Sequence, residues 1–456
     1  MSDLLSIAAS GVRAYQTALN TVGDNIANSG VAGYSRRSVT LNEVTVGGGP
    51  TVSGLESGIG VLASSIARSS NSFATQAMRS AGTDLSKTTT SVAWLDRIGK
   101  ALDGNNIAAR VTGFFNSSDA LAAEPASSAL RANFLAAGEN VGNAFKATGI
   151  AFDQIDSDLD GQATQTAQTL TSLGASLVRI NDGLGRTKAG TTAAAQLLDQ
   201  RDVILDQMST ISEIKVTSDT IGRTSVQLSS GAGVPFVSIG QSNAVRYVRD
   251  NAGDVSFQVQ EGAGWAKLDP TGGALAGFVE GAQRASAARD AIEAVATKFT
   301  TDINTQNRAG YDLNGNAGGD LFMTGTRPTD ISIPTSVTFK DIAAAAEDLP
   351  GNPGKSRGTR DGGNLAQFNA LRLTGLYESN VTSIVTANAA QLKQRSTIAE
   401  AQTAIRAGAE TAVSTASGVN LDEEAIDLMR FQQAYQASSR AIQVARDTLQ
   451  TILDIR

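Results

Sequence analysis

The 456-residue chain contains neither cysteine nor histidine. Without thiols there is no disulfide, no thiolate nucleophile and no cysteine-bound zinc; without imidazole there is no histidine base, no histidine metal ligand and no histidine-centred triad. Most enzyme designs fall with those two residue types, and a non-enzyme is expected. Lack of cysteine suits passage out of a reducing cytosol, yet a cytosolic protein can lack it equally, so the compartment stays open on this point. Aromatic residues make up only 5% of the chain. With alanine carrying much of the apolar share, slender helical packing is favoured over one thick core. The 37 Lys+Arg against 44 Asp+Glu leave a formal charge of −7 with no basic block, which argues against nucleic acid as a partner. No stretch reaches the roughly 20 apolar residues of a membrane-spanning helix. The start, MSDLLSIAASGVRAY, places Asp3 where a secretory leader carries Lys or Arg, and Ser6, Ser10 and Arg13 interrupt its apolar run. If the protein is secreted, it leaves without a cleaved signal peptide.

What the chain does have is a periodic stripe at each end. Leu5, Ala8, Val12, Tyr15, Leu19, Val22 and Ile26 alternate steps of three and four, which is a heptad seam. Ser2 and Asp3 suit the start of that helix. Leu421, Leu428, Tyr435, Ile442 and Leu449 stand seven apart, with Phe431, Ala445 and Ile452 interleaved. Asn420 is placed as the N-cap, Glu423 falls in the capping-box position, and Asp422 and Glu424 add negative charge near the positive end of the helix dipole. Neither stripe can be buried alone, so pairing the two ends is economical; docking each end on a globular body satisfies the periodicity as well. Ala8, Ser438, Ala445 and the off-pattern Glu424 weaken a two-helix seam, which is therefore expected to firm up only beside further copies.

Between the ends, TVGGGPTVSGLESGIGV cannot be helix and reads as extended linker or paired edge. Helix is expected from Ile66 to about Ala109, with Pro125 opening a new one, and again through Ile150 to Ile211. At Lys215 the period changes: AVRYVRD and DVSFQVQ alternate apolar and polar residues around the turn DNAGD, a β-hairpin signal. Helix returns from about Gly277 to Thr305, a short extended excursion covers Ser332 to Phe339, and a long helix fills most of Asn364 to Ala416. The fold class is mainly α with a smaller β part, an elongated multi-domain arrangement in which the inner parts are inserted into the outer ones. Residues 1–60 with 410–456 form a terminal coiled-coil domain; 61–213 with 273–321 and 361–409 form a helical bundle; 214–272 form a β-rich hairpin region, and 322–360 a short outer excursion.

Three motifs suggest chemistry. DSDLDG sets Asp156, Asp158, Asp160 and Gly161 like the first half of a calcium loop, but Ala167 stands where the bidentate Glu belongs and the flanking apolar residues read as continuous helix, so a helix face is favoured. DLNGNAGGD, with Asp312, Asn314, Asn316 and Asp320, reads as a turn rather than a calcium loop. LLDQRDVILDQM gathers Asp199, Arg201, Asp202 and Asp206 at helical spacing, favouring surface or inter-helix salt bridges over paired acid–base carboxylates. There is no phosphate-binding glycine loop and no GxSxG elbow. No catalytic, metal or cofactor residue is assigned.

ANSGVAGYSRR, with Ala27, Asn28, Gly33 and Tyr34, resembles the segment that closes the first helix of bacterial flagellar axial proteins, although Val31 and Ala32 replace the usual Thr and Pro. There Gly30 and Gly33 allow the backbone to reverse and Tyr34 anchors the residues after it. The final SGVNLDEEAIDLMRFQQAYQASSRAIQVARDTL, together with LLDQRD and NTQNRAGYDLNGNAGGDLF, is similar to the hook-filament junction (FlgK, first hook-associated protein) family. This resemblance implies a structural subunit exported by the flagellar type III apparatus and assembled as a ring between hook and filament. It also implies contacts with hook protein and the second junction protein, an export chaperone on the last helix, and end helices lining the inner tube. Rival readings are a filament subunit or the second junction protein, an extracellular calcium-binding or adhesive surface protein, and a hydrolase using paired aspartates.

Overall fold

The computed structural model describes residues 2–44, 60–228, 234–250, 253–347 and 354–454. Most of the glycine-rich segment after β1 and the tip of the DNAGD turn lie outside these residues. In chain order the elements are α1 (Ser2–Asn28), β1 (Arg37–Val44), β2 (Gly60–Arg68), α2 (Ser72–Asp103), α3 (Ile107–Ala123), α4 (Ser128–Arg186), α5 (Thr192–Ile211) and β3 (Ile214–Ser218). Then come β4 (Thr224–Leu228), β5 (Val234–Ser238), β6 (Gln241–Ser242), β7 (Val245–Arg249), β8 (Val255–Glu261), β9 (Gly264–Leu268) and α6 (Gly273–Arg308). The rest are β10 (Met323–Thr324), β11 (Ile331–Ser332), α7 (Gly363–Gly375), α8 (Tyr377–Ser417) and α9 (Leu421–Asp454).

α4 sets the scale: 59 residues in one helix at about 1.5 Å per residue make a rod of roughly 90 Å. Its first half packs with α3, α6 and α7, and the scarce aromatics are concentrated there. Phe114 contacts Phe134 at 4.7 Å between ring centroids and Phe299 at 5.4 Å, and Phe115 stacks on Tyr377 at 5.9 Å. Elsewhere small residues take over: an added Cβ on Gly281 would lie 2.6 Å from the Trp94 ring, so only glycine lets α6 pass that close to α2.

β5, β6 and β7 lie against the second half of α4, β11 against its first half, and β1 and β2 against α1. All sheets are antiparallel, in the orders β1-β2, β3-β4-β5-β6, β7-β8-β9 and β10-β11. Buried Asn181 of α4 donates to Thr224 O and accepts from Thr224 N, both at 2.8 Å, completing the backbone pairing where β4 begins. Val245 N donates to Thr171 Oγ1 at 2.9 Å, which ties β7 to the same helix. The expected hairpin is β7-β8, with Tyr247 opposite Phe257.

Four expectations are corrected. Ile66 lies in β2, paired with Val39, and helix starts only after Asn71, whose Oδ1 accepts from Phe73 N and Ala74 N at 3.1 Å. That helix ends at Asp103, because Asn106 takes a left-handed φ of 49°. Pro125 does not open a helix; Ser127 caps α4, and the Pro125 carbonyl accepts from Arg131 Nε at 2.6 Å. The helix expected from Asn364 to Ala416 is two helices, broken where Leu376 adopts φ 53°. Apolar spacing carries no trace of these breaks: those at Asn71 and Ser127 are set by local polar caps, which a pattern of apolar residues alone does not register.

Arg131 holds the segment around Phe339 and Ile342. It is buried, and its Nη1 donates to Phe339 O at 3.2 Å and Ile342 O at 2.7 Å. Burial lowers its pKa, opposed by the field of Asp312. Arg131→Ala is expected to cost about 2–3 kcal/mol, because three carbonyls lose a charged donor. Amide exchange should then quicken over residues 339–345; unchanged protection there would contradict this role.

Candidate assembly interface at the chain ends

α1 and α9 pack against each other, and the contact is antiparallel: Asn25 meets Glu424, Tyr15 meets Phe431 at 6.5 Å between centroids, and Gly11 meets Ser438. The buried residues of α1 are small or short, Ala8, Gly11, Ala14, Ala18, Thr21, Val22 and Asn25, of which Gly11 and Asn25 touch α9. An added Cβ on Gly11 would lie 2.7 Å from Ser438 Oγ, so bulk there would separate the helices. Of the N-terminal stripe read from sequence, Ala8 and Val22 are buried, Val12, Tyr15, Leu19 and Ile26 are half-buried, and Leu5 is 40% exposed. On α9, Ala445 is buried, Leu428, Phe431, Tyr435 and Ile442 are half-buried, and Leu421 and Leu449 are 53% and 48% exposed. The side chain of Ile452 lies outside the described residues. The stripes are thus wider than one two-helix contact can cover.

Glu424, off-pattern in the apolar seam, is the buried centre of a clasp rather than a weakness. Its Oε2 accepts from Asn25 Nδ2 at 3.0 Å and its Oε1 from Arg36 Nε at 2.6 Å, while Arg36 Nη2 reaches Asp427 at 3.3 Å. Asn25 is saturated: it also donates to Arg37 O at 2.8 Å and accepts from Arg37 N at 3.0 Å and Tyr34 Oη at 2.8 Å. The hydrogen bond to Glu424 raises the Arg36 pKa, and burial raises that of the Tyr34 phenol. Sequence periodicity misses Asn25 and Arg36. A signal for them exists, since a carboxylate and an amide set into two apolar seams require partners once buried.

In the motif, Asn28 Nδ2 closes α1 on Asp24 O at 2.7 Å and Ala27 is exposed. Of the two glycines expected to reverse the chain, only Gly33 takes a left-handed φ, +81°. A Cβ there would lie 2.3 Å from Val203 Cγ2. Tyr34 does anchor the entry to β1, through Asn25 and through the Arg37 guanidinium 4.7 Å above its ring. Gly33→Ala is expected to cost about 1–2 kcal/mol for the backbone conformation plus the Val203 clash, whereas Gly30→Ala, which meets open space, stays within about 0.5 kcal/mol. Denaturant unfolding of the pair checks this.

Behind the clasp runs a ladder of alternating charges. Arg37 and Arg68 grip Asp199 at 3.0 and 2.6 Å; Arg68 also binds Asp202 at 2.6 Å; Arg79 bridges Asp202 at 3.4 Å and Asp206 at 2.7 Å; Arg201 holds Asp202 at 2.8 Å. The three aspartates share one face of α5, so the expected salt bridges form, here joining β1, β2 and α2 to α5. Burial pushes Asp202 up, but Arg201, Arg68 and Arg79 together outweigh it and hold its pKa below the ordinary carboxylate value. Burial also pushes Asp206 up, and with Arg79 as its main counter-charge its pKa stays raised. The stability from Asp202 is therefore present above its unfolded pKa and lost as pH falls through its folded value. That linked to Asp206 has the opposite sign, present at low pH and lost as pH rises through its folded value. On acidification Asp206 is expected to take its proton before Asp202, checked by side-chain carboxyl carbon shifts; the reverse order would refute the ladder's electrostatics.

The other acidic motifs are engaged with the protein itself. In the helix Asp158 turns away to Arg97 at 2.6 Å, while Asp156 and Asp160, one turn apart, share Arg249 at 3.4 and 2.7 Å, with Arg289 at 2.6 Å on Asp156 and Tyr247 on Asp160. Asp312 accepts from Asn314 N and Asn316 N at 2.8 Å, which makes DLNGN a turn. Among the described residues no helix is long and apolar enough to cross a membrane.

The pattern for the flagellar hook-associated protein FlgK helical domain matches residues 93–322, half of the chain. The chain belongs to the FlgK family. Residues 412–455, essentially α9, match the flagellar basal body rod FlgEFG protein C-terminal family. Flagellar hook-associated protein 1 of Escherichia coli (strain K12) is 29% identical over 348 residues, covering 71% of this chain. The chain spans 60% of the length of that relative. Flagellar hook-associated protein 1 of Bacillus subtilis (strain 168) is 23% identical over 502 residues, covering 99% of this chain and 97% of its own. Among solved structures, the flagellar hook junction protein FlgK from Burkholderia pseudomallei shares the fold, with a TM-score of 0.61 at 17% identity over 74% of this chain and 99% of that one.

Proposed function

We propose that the chain is a non-enzymatic structural subunit of the bacterial flagellum that forms the ring joining hook to filament. The observation that carries the reading is the antiparallel pair made by the chain's two ends, whose apolar stripes remain half uncovered in a single copy. Family membership supplies the setting. The stripe residues from Leu5 to Ile26 and from Leu421 to Ile452 form the assembly interface, and neighbouring copies complete it. The clasp at Asn25, Arg36 and Glu424 sets where the chain leaves the inner helix layer.

In this reading the terminal pair is the inner domain, the α2–α8 bundle the wall, the 214–272 strands a lateral module and the 322–360 segment a short outer excursion. Hook protein lies on one side, the second junction protein on the other, and an export chaperone covers α9 before passage through the type III apparatus. A calcium-binding or adhesive role finds no support, because the DSDLDG acids are bound by arginines and Asp312 is held by backbone N–H groups of its own turn.

Labelled copies, restored to a strain lacking the chain, are expected as one band between hook and filament in electron micrographs. Label distributed along the filament would instead make it a filament subunit, and normal filaments without the chain would reject the reading.

A further inference from the structure

Beside the motif lies a cleft of about 640 Å³, walled by Val31, Ile180, Val203 and Ile204 and floored by Tyr34 and Arg37. Arg37 is 4% exposed, and its Nε finds no acceptor among the described residues. A buried N–H without a partner is costly, and this one belongs to a residue that lines the recess. On α9 a ridge faces the other way: Ile426 and Met429 are 61% and 56% exposed, and Gln433, on the same face at helical spacing, is exposed as well.

We propose that the cleft receives the Ile426–Met429–Gln433 ridge of a second copy. Three observations on this chain favour that occupant. The two features sit at the same level, because Asn25 beside the cleft residues Asp24 and Asn28 is bonded to Glu424, within one turn of Ile426. Side-by-side copies therefore bring ridge to cleft with no axial offset. The chemistry matches: Ile426 and the adaptable thioether of Met429 meet the apolar wall, and the Gln433 amide meets the polar Tyr34–Arg37 side of the cleft. The contact also continues the α1–α9 pair, on the α9 face turned away from α1. Ridge and cleft are different surfaces, so the association is head-to-tail and closes into a ring when the rotation per copy permits.

The inference rests on the junction reading, and the test separates the two. Because the chain has no cysteine, Val203→Cys combined with Met429→Cys introduces the only thiols. Flagella from cells carrying this variant, treated with a mild oxidant, are expected to give a ladder of disulfide-linked multimers, absent from each single variant and from dilute monomer. Ile204→Cys with Ile426→Cys is a second pair should the first fail to fold. Filaments that grow normally yet give no ladder from either pair overturn the contact and leave the junction reading intact. If the chain is not at the junction at all, that reading fails first, and oxidation of the concentrated purified variant then decides the contact: linked dimers support it, monomer overturns it.

Discussion

A chain ended at Asn420 is expected to remain folded and to build no junction. α9 packs on α1 and meets the hairpin lead-in through Arg36, whereas the aromatic cluster between α3, α4, α6 and α7 is complete without it. Thermal unfolding of that trunk should be little changed. α1, whose long helical partner is α9 across a narrow contact, should lose its order: amide exchange up to Ile26 becomes fast while α4 and α5 stay protected. In cells the truncated chain should release hook-associated subunits without a filament. Normal filaments on the truncated protein would remove the central role given to the end pair.

Asp202→Ala is expected to be the most damaging single substitution in the ladder. The Asp202 side chain is 19% exposed and is shared by Arg68, Arg79 and Arg201, which are 12%, 10% and 13% exposed. Removing it leaves Arg201 without its ion partner and takes one of two from Arg68 and Arg79, and breaking a buried pair from one side costs about 3–5 kcal/mol. Asp182→Ala, which removes the partner of Arg186 in a pair 60% and 79% exposed, should cost no more than about 0.5 kcal/mol. Equilibrium denaturation of both variants tests the contrast. Equal losses would mean the ladder is a decorated surface and not the joint between hairpin and trunk.

The long-range plan was legible because it is written in repeats. The heptads of Leu5–Ile26 and Leu421–Leu449 identified both end helices, and the alternation in AVRYVRD and DVSFQVQ identified β7 and β8. The aspartates of LLDQRDVILDQM, at three- and four-residue steps, form the salt bridges that their spacing favours. What periodicity could not carry was the identity of partners. Leu376 breaks a helix although it is a good helix former, because the packing of Tyr377 on Phe115 and its hydrogen bond to Asp302 hold the next helix in place. Glu424 looked like a defect because its solution, Arg36, lies at the opposite end of the chain. The buried small residues Gly11, Ala14 and Ala18 were hidden under the bulkier stripe beside them, since hydrophobicity marks which side is apolar and says little about which small residues are covered.

The clasp also bears on timing. Asn25 and Glu424 are 399 residues apart, so closing it ties a loop that contains almost the whole polypeptide, whereas α3 and α4 meet through neighbours in sequence. Local contacts form early and distant ones late, because loop-closure entropy is spent before the contact repays it. A thread delivered one end at a time cannot complete Asn25–Glu424 until nearly all of it has emerged. Maturation therefore finishes where the chain begins, and a subunit still in transit carries an open latch.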